Sequence, residues 1–206
     1  SKLIIITVGP SQISKLLDEI SPYFTKDHLI ISIVAGVSIS KIQTKIKLNI
    51  PIIRAMPNTA ASLCESMTCL SSKSQFKREL KEAQALFNKL GTTLVVDESK
   101  MSSATALCAC GIAFFLRAIR ASSQGGIEIG FDSKEAFTIA SQTARGAATL
   151  LLDDSTHPEQ EIDKVTTPKG ATISGLNEME HQGFSSAMIK GITVSTNKIN
   201  KLFENE

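Results

Sequence analysis

Residues 28–36 read HLIISIVAG. A near-continuous apolar run rich in β-branched side chains, closed by a small-residue turn at Ala35-Gly36, suits a strand buried on both faces of a parallel sheet. A short helix over about Ser38–Thr44 follows it. Upstream, Leu3–Val8 (LIIITV) repeats the pattern and stops at Gly9-Pro10. Ser11 is placed to cap a helix through Ile20, with Ile13, Leu16, Leu17 and Ile20 at helical spacing. Downstream, Ile50–Arg54 is a third strand, cut by Met56-Pro57, where the proline keeps Met56 extended. Ser66–Leu70 is a fourth candidate. Gln75–Leu90 is an amphipathic helix with Phe76, Leu80, Ala83 and Phe87 on one stripe, Gly91 stops it, and Thr92–Val96 is the last strand. Strands separated by crossover helices predict a twisted, mostly parallel α/β sheet.

After about Glu98 the strand signals end. Met101–Ser123 is apolar almost all round and thick with small residues, which predicts a buried helix that lets another backbone approach closely. Gly125-Gly126 ends it, and Asp132 with Glu135 forms a capping box for the next helix. Further helices are expected at about Pro158–Val165, Ala171–Gln182 and from Ser185 onward. The fold class is therefore α/β plus all-α, divided at 1–98 and 99–206. So much small apolar surface fits a module that buries itself against a symmetry mate.

Composition narrows the function. A 42% hydrophobic and 20% charged chain forms a core rather than a disordered coil. The net charge of +2, with 13 basic and 8 acidic residues in the first hundred, leaves no basic stripe for nucleic acid. Cys64, Cys69, Cys108 and Cys110 form no CxxC pair, and His28, His157 and His181 are scattered, so no metal site is expected and the thiols read as structural, in a reducing cytoplasm. Met101–Leu116, at 16 residues, falls short of the ~18 wanted for a membrane span.

The chemistry lies in loops. Thr166–Leu176 (TTPKGATISGL) puts hydroxyls before a proline, as at a helix N-terminus with proline in its first turn. Free amides there, with the Thr167 and Thr172 hydroxyls, suit a carboxylate or phosphate, and a plain capped helix start satisfies the same spacing. Val34-Ala35-Gly36-Val37 and Met56-Pro57-Asn58-Thr59 each follow a strand, where an open parallel sheet binds ligands, and ordinary turn chemistry explains them equally. There is no GxGxxG and no P-loop.

Together VAGVS, RAMPNTAA, the small-residue helix and DKVTTPKGATISGLNEMEHQGF resemble the pyrroline-5-carboxylate reductase family along essentially the whole chain. The resemblance implies a Rossmann-type domain, here partial, followed by a helical domain that forms a homodimer by interleaving helices, with larger rings often built from it. It implies NADPH- or NADH-dependent reduction of the cyclic imine 1-pyrroline-5-carboxylate to L-proline. Residue by residue, it assigns Thr167, Gly170, Ala171 and Thr172 to the substrate carboxylate. It places Thr105 near the ring nitrogen, Ala35, Gly36, Val37, Met56, Pro57, Asn58 and Thr59 around the nicotinamide and its ribose, and Val8, Gly9 and Pro10 near the diphosphate.

Three departures from the family pattern stand out. Gly9 replaces a lysine between Val8 and Pro10, leaving NADPH preference open. Cys108-Ala109-Cys110-Gly111-Ile112-Ala113-Phe114 replaces Ser-Gly-Ser-Gly-Pro-Ala-Tyr, and without the proline a less kinked helix is expected. Lys169 replaces a glycine; a charge-assisted contact to the anion and a solvent-facing side chain are both open to it, and solvent is the favoured reading. Set against the family, the chain is expected to lack the leading βαβ units that carry the dinucleotide fingerprint. Its cofactor site would then be half present and its sheet edges apolar and exposed. Two other functions fit parts of the same sequence: a catalytically silent oligomerisation module, and a two-domain hydroxyacid dehydrogenase. The latter generally needs a helical catalytic lysine, for which only Lys100 offers itself.

Overall fold

In the computed structural model of the chain, residues 1–154 and 156–204 are described. The chain divides into two compact units, Ser1–Ile112 with Ile192–Glu206, and Ala113–Gly191.

The first unit is built on strands β1 (Leu3–Ile6), β2 (Leu29–Ser32), β3 (Ile52–Met56), β4 (Ser66–Ser72) and β5 (Gly91–Val95), hydrogen-bonded in that order. Helices α1 (Ile13–Ile20), α2 (Ile39–Ile46) and α3 (Lys77–Phe87) connect them. The pairs β1–β2, β2–β3 and β4–β5 are parallel, whereas β3–β4 is antiparallel, with Ala55 opposite Leu70. The mostly parallel expectation holds, and the reversal has a cause. Pro57–Glu65 contains only a 3₁₀ turn at Thr59–Leu63, and a parallel crossover needs a dozen or more residues.

Period-two alternation divides the strand side chains between two layers. Ile30 and Ile52 pack with Leu17, Ile39 and Ile42 under α1 and α2, while Ile31 and Ile53 pack with Ala83 and Phe87 of α3. β1 departs from the both-faces expectation. Leu3 and Ile5 are in register with Leu29 and Ile31 and so point to the α3 side, where both are exposed. An open cleft bordered by Leu3, Leu29 and Ile31 reaches across to Ala83 and Leu86 of α3, so that layer stops short of the edge strand.

The helix starts are more varied than the sequence suggests. Ser38, expected inside the helix, is the N-cap of α2, its Oγ accepting from Lys41 N at 3.1 Å. Ser11 instead lies inside a 3₁₀ turn, Pro10–Gln12, and α1 begins at Ile13. Gly91 does not merely stop α3 but opens β5 at φ 139°, where a Cβ would collide with the Ser66 backbone.

Beyond β5 a continuous helical run comprises α4 (Met101–Ala104), a π-helical turn (Thr105–Cys110) and α5 (Gly111–Glu128). Losing the proline therefore does not leave a regular helix, because the π turn carries the irregularity. The run passes Gly125-Gly126 before ending. Asp132 then caps α6 (Ser133–Asp154): its Oδ1 accepts from Glu135 N at 2.9 Å, and Glu135 Oε2 accepts from Asp132 N at 3.2 Å. α7 (Pro158–Lys164), α8 (Ala171–His181) and α9 (Phe184–Glu204) follow.

The expected burial of the small-residue helix is not found within one chain. Met101, Thr105 and Ala106 are buried, but Leu107, Phe115 and Leu116 are 57%, 62% and 59% exposed. The run Glu98–Glu128 is also longer than the sequence reading allowed, and by length and composition it is sufficient to cross a membrane.

Candidate functional site

Because β1, β2 and β3 run parallel, the three loops that follow them lie at one edge of the sheet, the edge where such sheets bind ligands. After β1, Val8 packs on the core beneath α1 and α2, and Gly9 N donates to Gln12 Oε1 at 3.0 Å. After β2, Ala35 and Gly36 are half-buried, Gly36 at φ 68°, and Val37 is buried. Pro10 and Val37 line one groove of about 550 Å³ between α1 and α2, together with Ser14, Ser40 and Lys41.

After β3, Met56 packs with Cys69 and Met101, Pro57 is half-buried and Thr59 is exposed. Asn58 is the structural centre of this loop. Its Oδ1 accepts from Ala60 N at 3.0 Å, its own amide donates to Ser66 Oγ at 3.1 Å, and its Nδ2 donates to Cys108 O at 3.4 Å. The side chain that the sequence offered as a ligand contact thus ties the loop to the π turn.

Thr105 opens that π turn and is buried. Its Oγ1 donates to Met101 O at 2.8 Å. With the hydroxyl proton committed to the backbone, the lone pairs on Oγ1 remain as acceptors. The group is therefore arranged to receive an N–H rather than to protonate a base.

Thr167, Gly170, Ala171 and Thr172 belong to the second unit, and the structure revises their local reading. Pro168 is not in the first turn of a helix. Gly170 N donates to Thr167 O at 2.9 Å, closing a turn in which Pro168 and Lys169 are the central residues. Lys169 has φ 61°, the left-handed value that a type II-like turn asks of its third residue and that favours glycine. Its side chain is exposed, as expected. Gly170 is the N-cap of α8 and offers no side-chain cap. A Cβ there would run into Thr167 Oγ1 and come within 2.9 Å of Thr167 O, so the close fold of the loop depends on its absence. The first intrahelical bond of α8 is Ser174 N to Gly170 O at 3.4 Å, so the amides of Ala171, Thr172 and Ile173 precede the ladder and project from an open helix start.

Two arrangements in the first unit went unseen in the sequence. Arg54 on β3 is 5% exposed, and its Nη1 donates to Glu98 Oε1 at 3.3 Å. The same oxygen accepts from Ile39 N at 2.6 Å, so Glu98 joins β3 to the start of α2. Arg54 Nε and Nη2 are buried without partners. Burial pulls the guanidinium below its usual pKa, and Glu98 opposes that. An arginine inside an apolar strand was the available signal. The second arrangement is a thiol pair, Cys69 Sγ and Cys108 Sγ at 3.5 Å. Of the four thiols read as structural, Cys64 is exposed.

Residues 98–202 match the family model described as pyrroline-5-carboxylate reductase dimerisation. Pyrroline-5-carboxylate reductase from Methanosarcina acetivorans is 33% identical over 98% of this chain and 75% of its own length. The chain belongs to the pyrroline-5-carboxylate reductase family. Pyrroline-5-carboxylate reductase 1 of Dictyostelium discoideum is 53% identical over 98% of this chain, which spans 39% of that relative's length. The Plasmodium falciparum pyrroline carboxylate reductase, solved with NADP bound, superposes with a TM-score of 0.91 at 25% identity, covering 98% of this chain and 77% of that one. The Coxiella burnetii enzyme gives a TM-score of 0.90 at 26% identity over 98% and 76%.

Proposed function

We infer that this chain carries the substrate and dimerisation machinery, and part of the cofactor edge, of an oxidoreductase that reduces 1-pyrroline-5-carboxylate to L-proline with NADPH or NADH. Family membership along the whole chain is the observation that carries this reading. In it, residues 1–98 serve the cofactor and residues 99–206 hold the substrate and a second copy of the chain, in the cytoplasm.

The fit to a dinucleotide rests on the loops. Those after β1, β2 and β3 share one edge, and Pro10, Val37, Ser40 and Lys41 border a groove of about 550 Å³. When bound, a reduced nicotinamide supplies the hydride. The flat, small-residue turn at Ala35-Gly36 and the Met56–Thr59 loop are suited to hold a planar ring at this edge, and Asn58 keeps the second loop in place through Cys108 O.

At the start of α8, the backbone amides of Ala171 and Thr172 and the hydroxyls of Thr167 and Thr172 are suited to hold the substrate carboxylate by charge-assisted hydrogen bonds. Gly170 lets the loop fold tightly enough to aim them. Thr105 then acts as an acceptor. A protonated imine N–H donates to Oγ1, which already donates to Met101 O, so the residue orients and stabilises the more electrophilic form. What remains is positioning: donor and acceptor carbons within ~3–3.5 Å.

The apolar run Glu98–Glu128 is read as a dimer element. It carries Arg117 and Arg120, and it falls wholly inside the region matched by the dimerisation model.

The test follows the absorbance of the reduced nicotinamide with the chain, NADPH and the imine, alongside light scattering. Oxidation of NADPH only when the imine is present, by a dimer or larger species, is expected. A dimer without turnover would favour a silent oligomerisation module, and a monomer would refute the dimer reading.

A further inference from the structure

We propose that Cys69 and Cys108 form an oxidisable pair, converted by a small hydroperoxide into an intramolecular disulfide that joins β4 to the π turn. The proposal does not rest on the assigned activity. Its basis is geometric. The two sulfurs lie 3.5 Å apart, and a disulfide needs about 2.05 Å, so roughly 1.5 Å of approach closes the bond. Cys69 is held in a strand paired on both sides, opposite Met56 and Leu94. Cys108 sits on the irregular turn, the element whose backbone can yield.

The two thiols differ in access, which fixes the order of events. Cys69 is 3% exposed, packed with Met56 and Met101, whereas Cys108 is half-buried. Cys108 is therefore the sulfur that peroxide reaches. The hydrogen bond from the Cys69 thiol stabilises its thiolate and draws its pKa down to about 7, while the same contact and burial push Cys69 up.

In the first step the Cys108 thiolate attacks a peroxide oxygen. An S–O bond forms, the O–O bond breaks, hydroxide leaves and takes up a proton, and Cys108 becomes a sulfenic acid. In the second step the Cys69 sulfur attacks the Cys108 sulfur and gives up its proton, and the S–O bond breaks to release a second water. Two thiols are oxidised and one peroxide is reduced to two waters. Cys108 O also accepts from Asn58 Nδ2 at 3.4 Å, and Thr105 lies in the same π turn, so the bond is formed against the loop and hydroxyl assigned to the reaction.

The experiment treats the full chain, carrying Cys64→Ser and Cys110→Ser, with hydrogen peroxide, then digests it without reduction for mass spectrometry. One Cys69–Cys108 linked peptide per chain, lost on adding dithiothreitol, is expected. With Cys69→Ser added, a 1,3-dione should label Cys108 as the trapped sulfenic acid. The rate of link formation should rise about tenfold from pH 6 to 8 and level off, where an ordinary thiol would rise nearly a hundredfold. Links found only between chains, or Cys108 unlabelled in the Cys69→Ser protein, would overturn the proposal. So would failure of the link to form in the Cys64→Ser, Cys110→Ser protein.

Discussion

Replacing Glu98 should hurt more than replacing Arg54, although Arg54 is the more deeply buried partner. The Arg54 side chain is 6% exposed and the Glu98 side chain 35% exposed. Glu98→Gln keeps an oxygen for Ile39 N, now at 2.6 Å, but leaves the guanidinium buried without a counter-charge and with Nε and Nη2 already orphaned. Removing one partner of a fully buried pair costs about 3–5 kcal/mol. Discounted for the partial exposure of Glu98, about 2 kcal/mol is expected. Arg54→Met removes the buried charge and its orphaned donors together and leaves a carboxylate that water and Ile39 N still serve. Its cost should stay below about 1 kcal/mol. The double variant should track Arg54→Met, so Glu98→Gln costs little once the cation is gone. Urea unfolding followed by far-UV circular dichroism reads this out. With a slope of about 2–3 kcal/mol per M, Glu98→Gln moves the midpoint down by about 0.7–1 M and Arg54→Met by less than half of that. An equal or larger loss in Arg54→Met would refute the reasoning, because the cation would then be contributing stability rather than demanding a partner.

Three further outcomes follow from the site. Thr105→Val should lower the turnover number by at least tenfold, since it removes the acceptor while conserving shape; an unchanged turnover number would sink the role of Thr105. Thr172→Ala should raise the Michaelis constant for the imine acid about tenfold with little change in turnover, the worth of one hydrogen bond to a charged group; unchanged substrate binding would refute the clamp. Lys169→Gly should stabilise the chain by about 0.5 kcal/mol, because relief of a left-handed non-glycine residue, about 1–2 kcal/mol, exceeds the entropy that glycine adds, about 0.5–1 kcal/mol. A lower melting temperature in that variant would show that the turn is not strained.

The α/β half was legible because its signals are local. Strands of Ile, Leu and Val recur at regular intervals, and the alternation of Ile30 with Ile31 and of Ile52 with Ile53 across two layers follows from the pleat. The direction of β4 is not a property of its own residues, which read alike in either sense. It depends on the short link before it. In the site, the Thr-Thr-Pro segment is legible but its geometry is not, because proline is as much at home inside a turn that precedes a helix as in the first turn of one. Lys169 gave no warning of its left-handed backbone. Cys69 and Cys108 carry no spacing rule, being joined only when β4 lies against the π turn. Arg54 did carry a signal, a charge within an apolar strand.

The helical half shows a different kind of legibility. Its composition predicts burial, and burial is what one chain does not provide: Leu107, Phe115 and Leu116 are more than half exposed, and Ile129 is 78% exposed. On the proposed dimer reading the two statements agree, the core being shared between copies. Covering a large apolar side chain is worth about 1.5–3 kcal/mol, and an isologous contact counts every such residue twice. A few residues of α5 therefore yield a driving force comparable to the whole stability of an ordinary domain, about 5–15 kcal/mol. The α/β half needs no such help, because the layers over β2 and β3 come from its own helices. On that reading an apolar-all-round helix encodes the partner rather than the fold, and the sequence that looks most buried is the surface left open in a single chain.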